Sequence, residues 1–527
     1  MVSHKDAELS IILKFGGGVN SAASEDDVGQ TECVEGYNFI LDYRNKNLKP
    51  RNPIKKLGTA PNNQPVNGFA NLVKANGDTT ILVQAGTVVY NWSEALGFVS
   101  VGTVPSNSKL RGHLHHYWPL DDIVIITDLN LVGPVLQWNG SALSTMSHNL
   151  TGQFRSKYCW VDNERAHFAN IISNSVAIPH MIVASELSDY TSLSVSDRPS
   201  SSLGAGDPFY LLSPDLRAVN GIIGFFDTIV SSTEKGSLFR IDGADSTDTA
   251  INKFYPRSFA VGDESMAFIG NDVIFGRIGR IEGVVSTQNY GDIALDDITV
   301  PIKPDLADLA DWLIAYNPRT QKVYVHAAED DAIWQYSKDV NPQEASPWVK
   351  LRTNASFGMN PTAMMTMIDP VDGLEYVYMG DTYGNLYKIE GEAGELDAGA
   401  YSIDTLWRSG VYRFSPDLIG DKFIGYINYR AGADTEIEIR LLFGGSYVTT
   451  DVINVQLNGD AGGTYFGEDA YFGGPYYFGV SFGGSFRREA IDGAGASEEI
   501  QIEIRHSGTA NFEINEVGLK FDAKTNP

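Results

Sequence analysis

The chain has 527 residues, is 43% hydrophobic and 11% aromatic, and carries a formal charge of −27. That composition excludes a disordered chain, and the length implies two or three domains or one large repetitive domain with an appendage. The charge excludes tight nucleic-acid binding through the average surface, because such a surface repels phosphates, although it also serves plain solubility.

From the N-terminus, the apolar run Leu9 to Leu13 is interrupted by Ser10 and is too short for a signal peptide. The segment FGGGVN (15–20) lacks the Gly-Lys-Ser/Thr ending of a phosphate loop, and the acidic SAASEDDVG follows it instead of a helix, so it reads as a turn. Cys33 and Cys159 lie far apart, form no CxxC pair, and read as two reduced core residues of a protein folded in a reducing cytoplasm. The stretch DYRNKNLKPRNPIKK (42–56) is locally basic. Arg44, Lys46, Lys49 and Arg51 are its candidates for touching DNA or an acidic neighbour; the alternative is a solvated loop that Pro50 and Pro53 keep extended.

A repeat then sets the architecture. GSLFRIDG (236–243) and GNLYKIEG (384–391) match or swap close relatives at every position. Their period-two alternation is that of a half-buried strand, and each follows another apolar strand across a short turn, so each unit reads as a β-hairpin. Weaker copies are ILVQAGTVVYNW (81–92), VIITDLNLVGPVLQWNG (124–140), DVIFGRIGRIEG (272–283) and KVYVHAAEDDAIWQYS (322–337), with a poorer one in HMIVASELSDY (180–190). The turns are expected near 86, 133, 182, 236, 279, 331 and 384, a mean step of about 50 residues, which is the period of four-stranded propeller blades. No blade can bury both faces alone, so the same hairpin recurs where successive blades pack. The expectation is an all-β chain with a β-propeller of six or seven blades over 61–400; the alternative is a sandwich with chance similarity.

Helix signals are scarce. PDLADLADWLIAY (304–316) spaces Leu306, Leu309 and Leu313 helically and predicts one short helix or turn. After about 400, DTEIEIRLLF (434–443), EEIQIEIRHSG (498–508) and NFEINEVGLKF (511–521) alternate with charged outer faces and predict an antiparallel β-sandwich over 401–527. Between these strands, Tyr-Phe-Gly recurs every six residues in the Gly-rich loop 464–486, at Tyr465-Phe466, Tyr471-Phe472 and Tyr477-Phe478. These aromatics either fold back on the sandwich or form a tongue that inserts into a neighbour, where such rings give large contact area at low entropic cost.

Signals for chemistry are few. In HLHHY (113–117), His113 and His115 would share a strand face and suit zinc, but no third ligand is evident. Asp121-Asp122, Asp296-Asp297 and Asp330-Asp331 fit exposed turns, and DGADSTD (242–248) lacks the order of a calcium loop. With no GxSxG, HExxH or Asp-box motif, the expectation is a protein that is not an enzyme and uses no cofactor and no metal.

The segment 15–58 resembles the N-terminus of virion proteins with β-propeller bodies from short-tailed bacteriophages, the tail nozzle (tail tubular protein B type) and the packaged-DNA stabilisation proteins. The matching elements are Gly17-Gly18-Val19-Asn20, Glu35-Gly36-Tyr37-Asn38-Phe39 and Leu48-Lys49-Pro50-Arg51 with Gly58 following, while SAASEDDVG departs from the pattern. The resemblance covers under a tenth of the chain. It implies a structural subunit of the virion tail, six copies forming a ring around the DNA-ejection channel. Its partners would be other copies of itself, the tail adaptor or hub, tail fibres and passing double-stranded DNA. It also suggests that residues 1–60 form an extended segment that closes the propeller or contacts neighbours. The alternative function is a receptor- or glycan-binding propeller, possibly a depolymerising tailspike.

Overall fold

The structure is a computed structural model describing residues 8–525 apart from 42–44, 163, 226–227, 244, 262–263, 271, 287–292, 329, 331, 342–343, 354–358, 392–395, 414–417, 444–448, 458–486, 498 and 510. Within them the chain forms seven four-stranded antiparallel blades. Six come from consecutive sequence, beginning with the innermost strands Val66–Val73, Leu110–Gly112, Phe154–Asp162, Val219–Phe225, Met266–Ile269 and Trp312–Asn317. The seventh takes three strands from 361–388 and its outermost strand, Lys55–Thr59, from the N-terminal region, paired with Asn385–Lys388. The inner strands neighbour one another in a closed cycle, blade two meeting Phe154–Asp162 through Ile123–Asp128 and the seventh blade returning to the first, so the sheets form a β-propeller of seven blades.

The repeated phrases occupy equivalent places. Ser237–Asp242 and Asn385–Lys388 are the third strands of blades four and seven. Both hairpins are fastened alike: the Thr233 hydroxyl accepts the Ser237 N–H at 2.9 Å, and the Asp381 carboxylate accepts the Asn385 N–H at 2.8 Å. Leu238 and Phe239, like Leu386 and Tyr387, are buried in the clusters that fill the gaps between blades. Wide side chains need a partner without one: a Cβ on Gly276 of blade five would sit 2.2 Å from the Trp312 ring of blade six. Six of the expected turns fall in the central hairpins. The one near 182 does not, since 182 lies inside the strand Val176–Ala184. That turn is Asn174-Ser175, with φ of 48° and 66°, a left-handed pair that Asn tolerates without any glycine to mark it. The helix expected within 304–316 is a single turn, Lys303–Leu306, and Trp312–Asn317 is a strand buried at every position.

Beyond the propeller, Leu418–Ala431, Arg487–Ser497, Phe512–Thr525 and the N-terminal Glu8–Leu13 form one antiparallel sheet. Ile403–Arg413, Glu499–Gly508, Thr435–Phe443 and Thr449–Leu457 form a second. Ile427 and Leu519 of the first share a core with Ile439 and Ile502 of the second, which makes the pair a sandwich. The short strand Glu35–Tyr37 pairs in parallel with Trp348–Leu351 of blade six and antiparallel with Ile403–Arg413, so one sheet continues from the propeller axis into the sandwich.

Candidate functional site

Among the described residues, buried polar side chains gather at several places, of which two are the junction under blade six and the propeller axis.

At the junction, the segment read as basic and extended is a buried clasp. Asn38 sits in the left-handed region, φ 61°, and donates from Nδ2 to the Arg352 carbonyl of blade six at 2.8 Å and to the Asp404 carbonyl of the sandwich at 2.7 Å. Its Oδ1 accepts from the Arg352 N–H and from Arg51 Nε, both at 2.9 Å. Arg51 Nη1 reaches Asp397 at 2.8 Å, and the same carboxylate accepts the Ile54 N–H. Upstream, Val19 N–H donates to the Trp348 carbonyl at 2.8 Å, and a Cβ on Gly18 would lie 1.9 Å from that oxygen. Glycine there is required by backbone contact, not by a bound phosphate. The acidic insert runs beside the sandwich, where Asp26 pairs with Arg413 at 2.8 Å.

This corrects part of the expectation for the basic stretch. Arg51 cannot contact DNA or a neighbour, since its side chain is 3% exposed and engaged by Asp397. Lys49 is half-buried and pairs with Glu513 at 3.0 Å. Lys46 is exposed, and its stem covers Gly16. Arg44 lies outside the described residues, as do Tyr465, Phe466, Tyr471, Phe472, Tyr477 and Phe478. Cys33 and Cys159 are both buried free thiols, and burial raises the pKa of each.

On the axis, the innermost strands surround a cavity of about 440 Å³. Arg111 of blade two and buried Glu264, which leads into blade five, meet at 2.9 Å, and Lys109 reaches the same carboxylate. Those blades stand nearly opposite in a ring of seven, so the ion pairs span the axis at the N-terminal ends of the innermost strands. At the other ends lie His115, Trp160, Phe268, Tyr316, exposed Gln321 and half-buried Glu375. HLHHY is not a strand there: Leu114–His116 is a turn of 3-10 helix capped by His113. His113 stacks on His115 with centroids 5.1 Å apart, and His115 stacks on Trp160 at 4.0 Å. Desolvation holds His113 well below its ordinary pKa and lowers His115 to about 4 and His116 to about 3, so all three rings are neutral at pH 7. Among the described residues, no group of three His, Cys, Asp or Glu side chains comes together to hold a metal.

Of these axial residues only the histidines drew notice in the sequence. Trp160, Phe268, Tyr316 and Glu375 lie in different blades, and the one available signal was an apolar strand leading into each repeated hairpin.

No family model matches the chain, and no curated protein does. Among solved structures it is similar to virginiamycin B lyase from Staphylococcus aureus, at 12% identity and a TM-score of 0.42, over 64% of this chain and 99% of that one. It is also similar to YCF48 from Cyanidioschyzon merolae, at 11% identity and 0.39, over 64% and 98%. A third is the β-propeller domain of Myceliophteria thermophila Cps50 (Swd1), at 10% identity and 0.39, over 64% and 99%. The closed cycle of blades establishes the fold by itself.

Proposed function

We propose that this chain is a structural virion protein of a short-tailed phage, a tail nozzle subunit that forms a ring, of six copies by the resemblance, around the DNA-ejection channel. The observation that carries the reading is the clasp. The residues through which the N-terminal segment resembles those proteins, Gly18, Val19, Asn38 and Arg51, are the ones that fasten it between blade six and the sandwich. A sheet running unbroken from blade six into the sandwich gives a rigid body, which suits a part that bears load and does no chemistry.

On this reading DNA does not thread the propeller. The axis is spanned by Arg111 and Glu264 and leaves about 440 Å³, room for a small molecule. The conduit then lies between copies, and a chain of charge −27 offers a wall from which phosphates are repelled, so that DNA slides without sticking. The adaptor or hub above and the tail fibres outside are the partners proposed with it, and the virion tail is its place.

Negative-stain microscopy of the purified protein tests the reading, with loop 464–486 as the proposed contact between copies. Closed rings of the full chain, lost when that loop is deleted, are expected. A full chain that stays monomeric at all concentrations and is absent from virion tails contradicts it. The receptor- or glycan-binding alternative is favoured by one observation, the aromatic rim of the axial cavity.

A further inference from the structure

The axial cavity has chemistry that the conduit reading leaves unused. One end is closed by charges that satisfy one another, Arg111 and Lys109 against Glu264. The other end opens beside exposed Gln321 and is rimmed by aromatic rings: His115 stacked on Trp160, with Phe268 edge-on to His115 at 6.5 Å. Tyr316 continues the wall, and Gln321 donates its side-chain amide to the Pro318 carbonyl at 2.6 Å. Glu375 stands at this mouth, and among the described residues no cation and no hydrogen-bond donor reaches its carboxylate. Burial alone shifts its pKa, upward, as expected of a carboxylate partly removed from water without a partner.

We propose that the axial cavity is a binding site for a small organic cation, a primary amine or guanidinium carrying an apolar or aromatic body. The cationic head pairs with Glu375 at the mouth, and the body lies against Phe268, Tyr316 and the His115–Trp160 stack. Aromatic faces attract cations, more strongly where water is thinned. The histidines add no competing charge, because they are neutral at pH 7. A volume of about 440 Å³ falls within the range of small-molecule sites. An anion would meet Glu375 with no free cation among the described residues of the lining to offset it, and a neutral body would leave that carboxylate unpartnered.

The site is tested by isothermal titration of the full chain with three probes of similar size: phenethylamine, 2-phenylethanol and 3-phenylpropionate. Saturable binding of the amine is expected, with the alcohol weaker by about tenfold or more and the acid not binding. Glu375→Gln should remove the preference for amine over alcohol while leaving the melting curve unchanged. Glu94→Gln, an exposed acid outside the cavity, should leave the preference intact and so separates the site from general attraction to an acidic surface. Equal binding of the three probes, no saturation by the amine up to about 10 mM, or a preference that survives Glu375→Gln overturns the proposal.

Discussion

The blades and the junction are built on opposite plans. In blade three, Phe154–Asp162, Arg165–Ser173, Val176–Ala184 and Phe209–Leu212 pair with their neighbours in sequence, and apolar clusters fill the gaps to the blades on either side. At the junction, Glu35–Tyr37 pairs with strands at 348–351 and 403–413, and Glu8–Leu13 pairs with Phe512–Thr525 at the far end of the chain. Local hairpins close short loops and repeat, so no single blade contact is indispensable. The junction closes loops of hundreds of residues, and buried polar groups such as Arg51 and Asp397 hold it beside an apolar core that joins Phe15 and Phe39 to Trp348 and Trp407. Sensitivity to substitution should therefore concentrate where the fold has least redundancy.

The largest effect should follow from deleting residues 8–60, which removes the outer strand of blade seven, the clasp and one strand of the sandwich. The product is expected to be insoluble or to lack a cooperative melting transition; a cooperative, soluble fragment would show that the blades close without the junction. Next comes Arg51→Ala, which strands buried Asp397. A loss of about 3–5 kcal/mol in urea unfolding is expected, and Arg51→Lys should recover little of it, because a lysine cannot reproduce the fork that holds Asn38 and Asp397 together. A blade counterpart, Ile229→Val, should cost only about 1 kcal/mol.

Acid should weaken the blades before the sandwich. His115, His116 and His167 in blades two and three have pKa values of about 4, 3 and 4, depressed chiefly by desolvation, while the unfolded chain titrates near 6.5. Between pH 6.5 and about 4 the unfolded state binds more protons, so stability contributed by these neutral rings is full above 6.5 and falls as pH drops through that window. Among the described residues the sandwich has one such ring, His506, lowered to about 4. Hydrogen exchange at pH 7 and pH 5 should show blades two and three losing protection before the sandwich, and His116→Gln should flatten the slope. The smallest effect is expected from Asn174→Gly, whose positive φ either residue accepts: a change within about 0.5 kcal/mol in urea unfolding.

The same contrast explains what could be read in advance. Hairpins announce themselves through period-two strands around a turn, and those marked by glycine or an acidic pair, such as Gly86 and Asp330-Asp331, were legible. Asn174-Ser175 was not, because its left-handed residues carry no glycine. Trp312–Asn317 reads as part of a helix because Leu313 continues the helical spacing of Leu306 and Leu309, whereas a strand buried on both faces has no alternation to betray it. Arg51 looked like part of a solvated basic stretch, since its partner Asp397 lies 346 residues away. The axial cavity had no linear signature, because Trp160, Phe268, Tyr316 and Glu375 meet only once the ring has closed.

The proposed role stands on a rigid subunit whose own axis is shut to DNA. Cryo-electron microscopy of the virion tail at a resolution that separates strands addresses it most directly. The account predicts propellers of this chain arranged around the tail axis, duplex density running between copies, and none along any propeller's centre. Tails lacking this chain, or a duplex passing through the blades past Arg111 and Glu264, would contradict it.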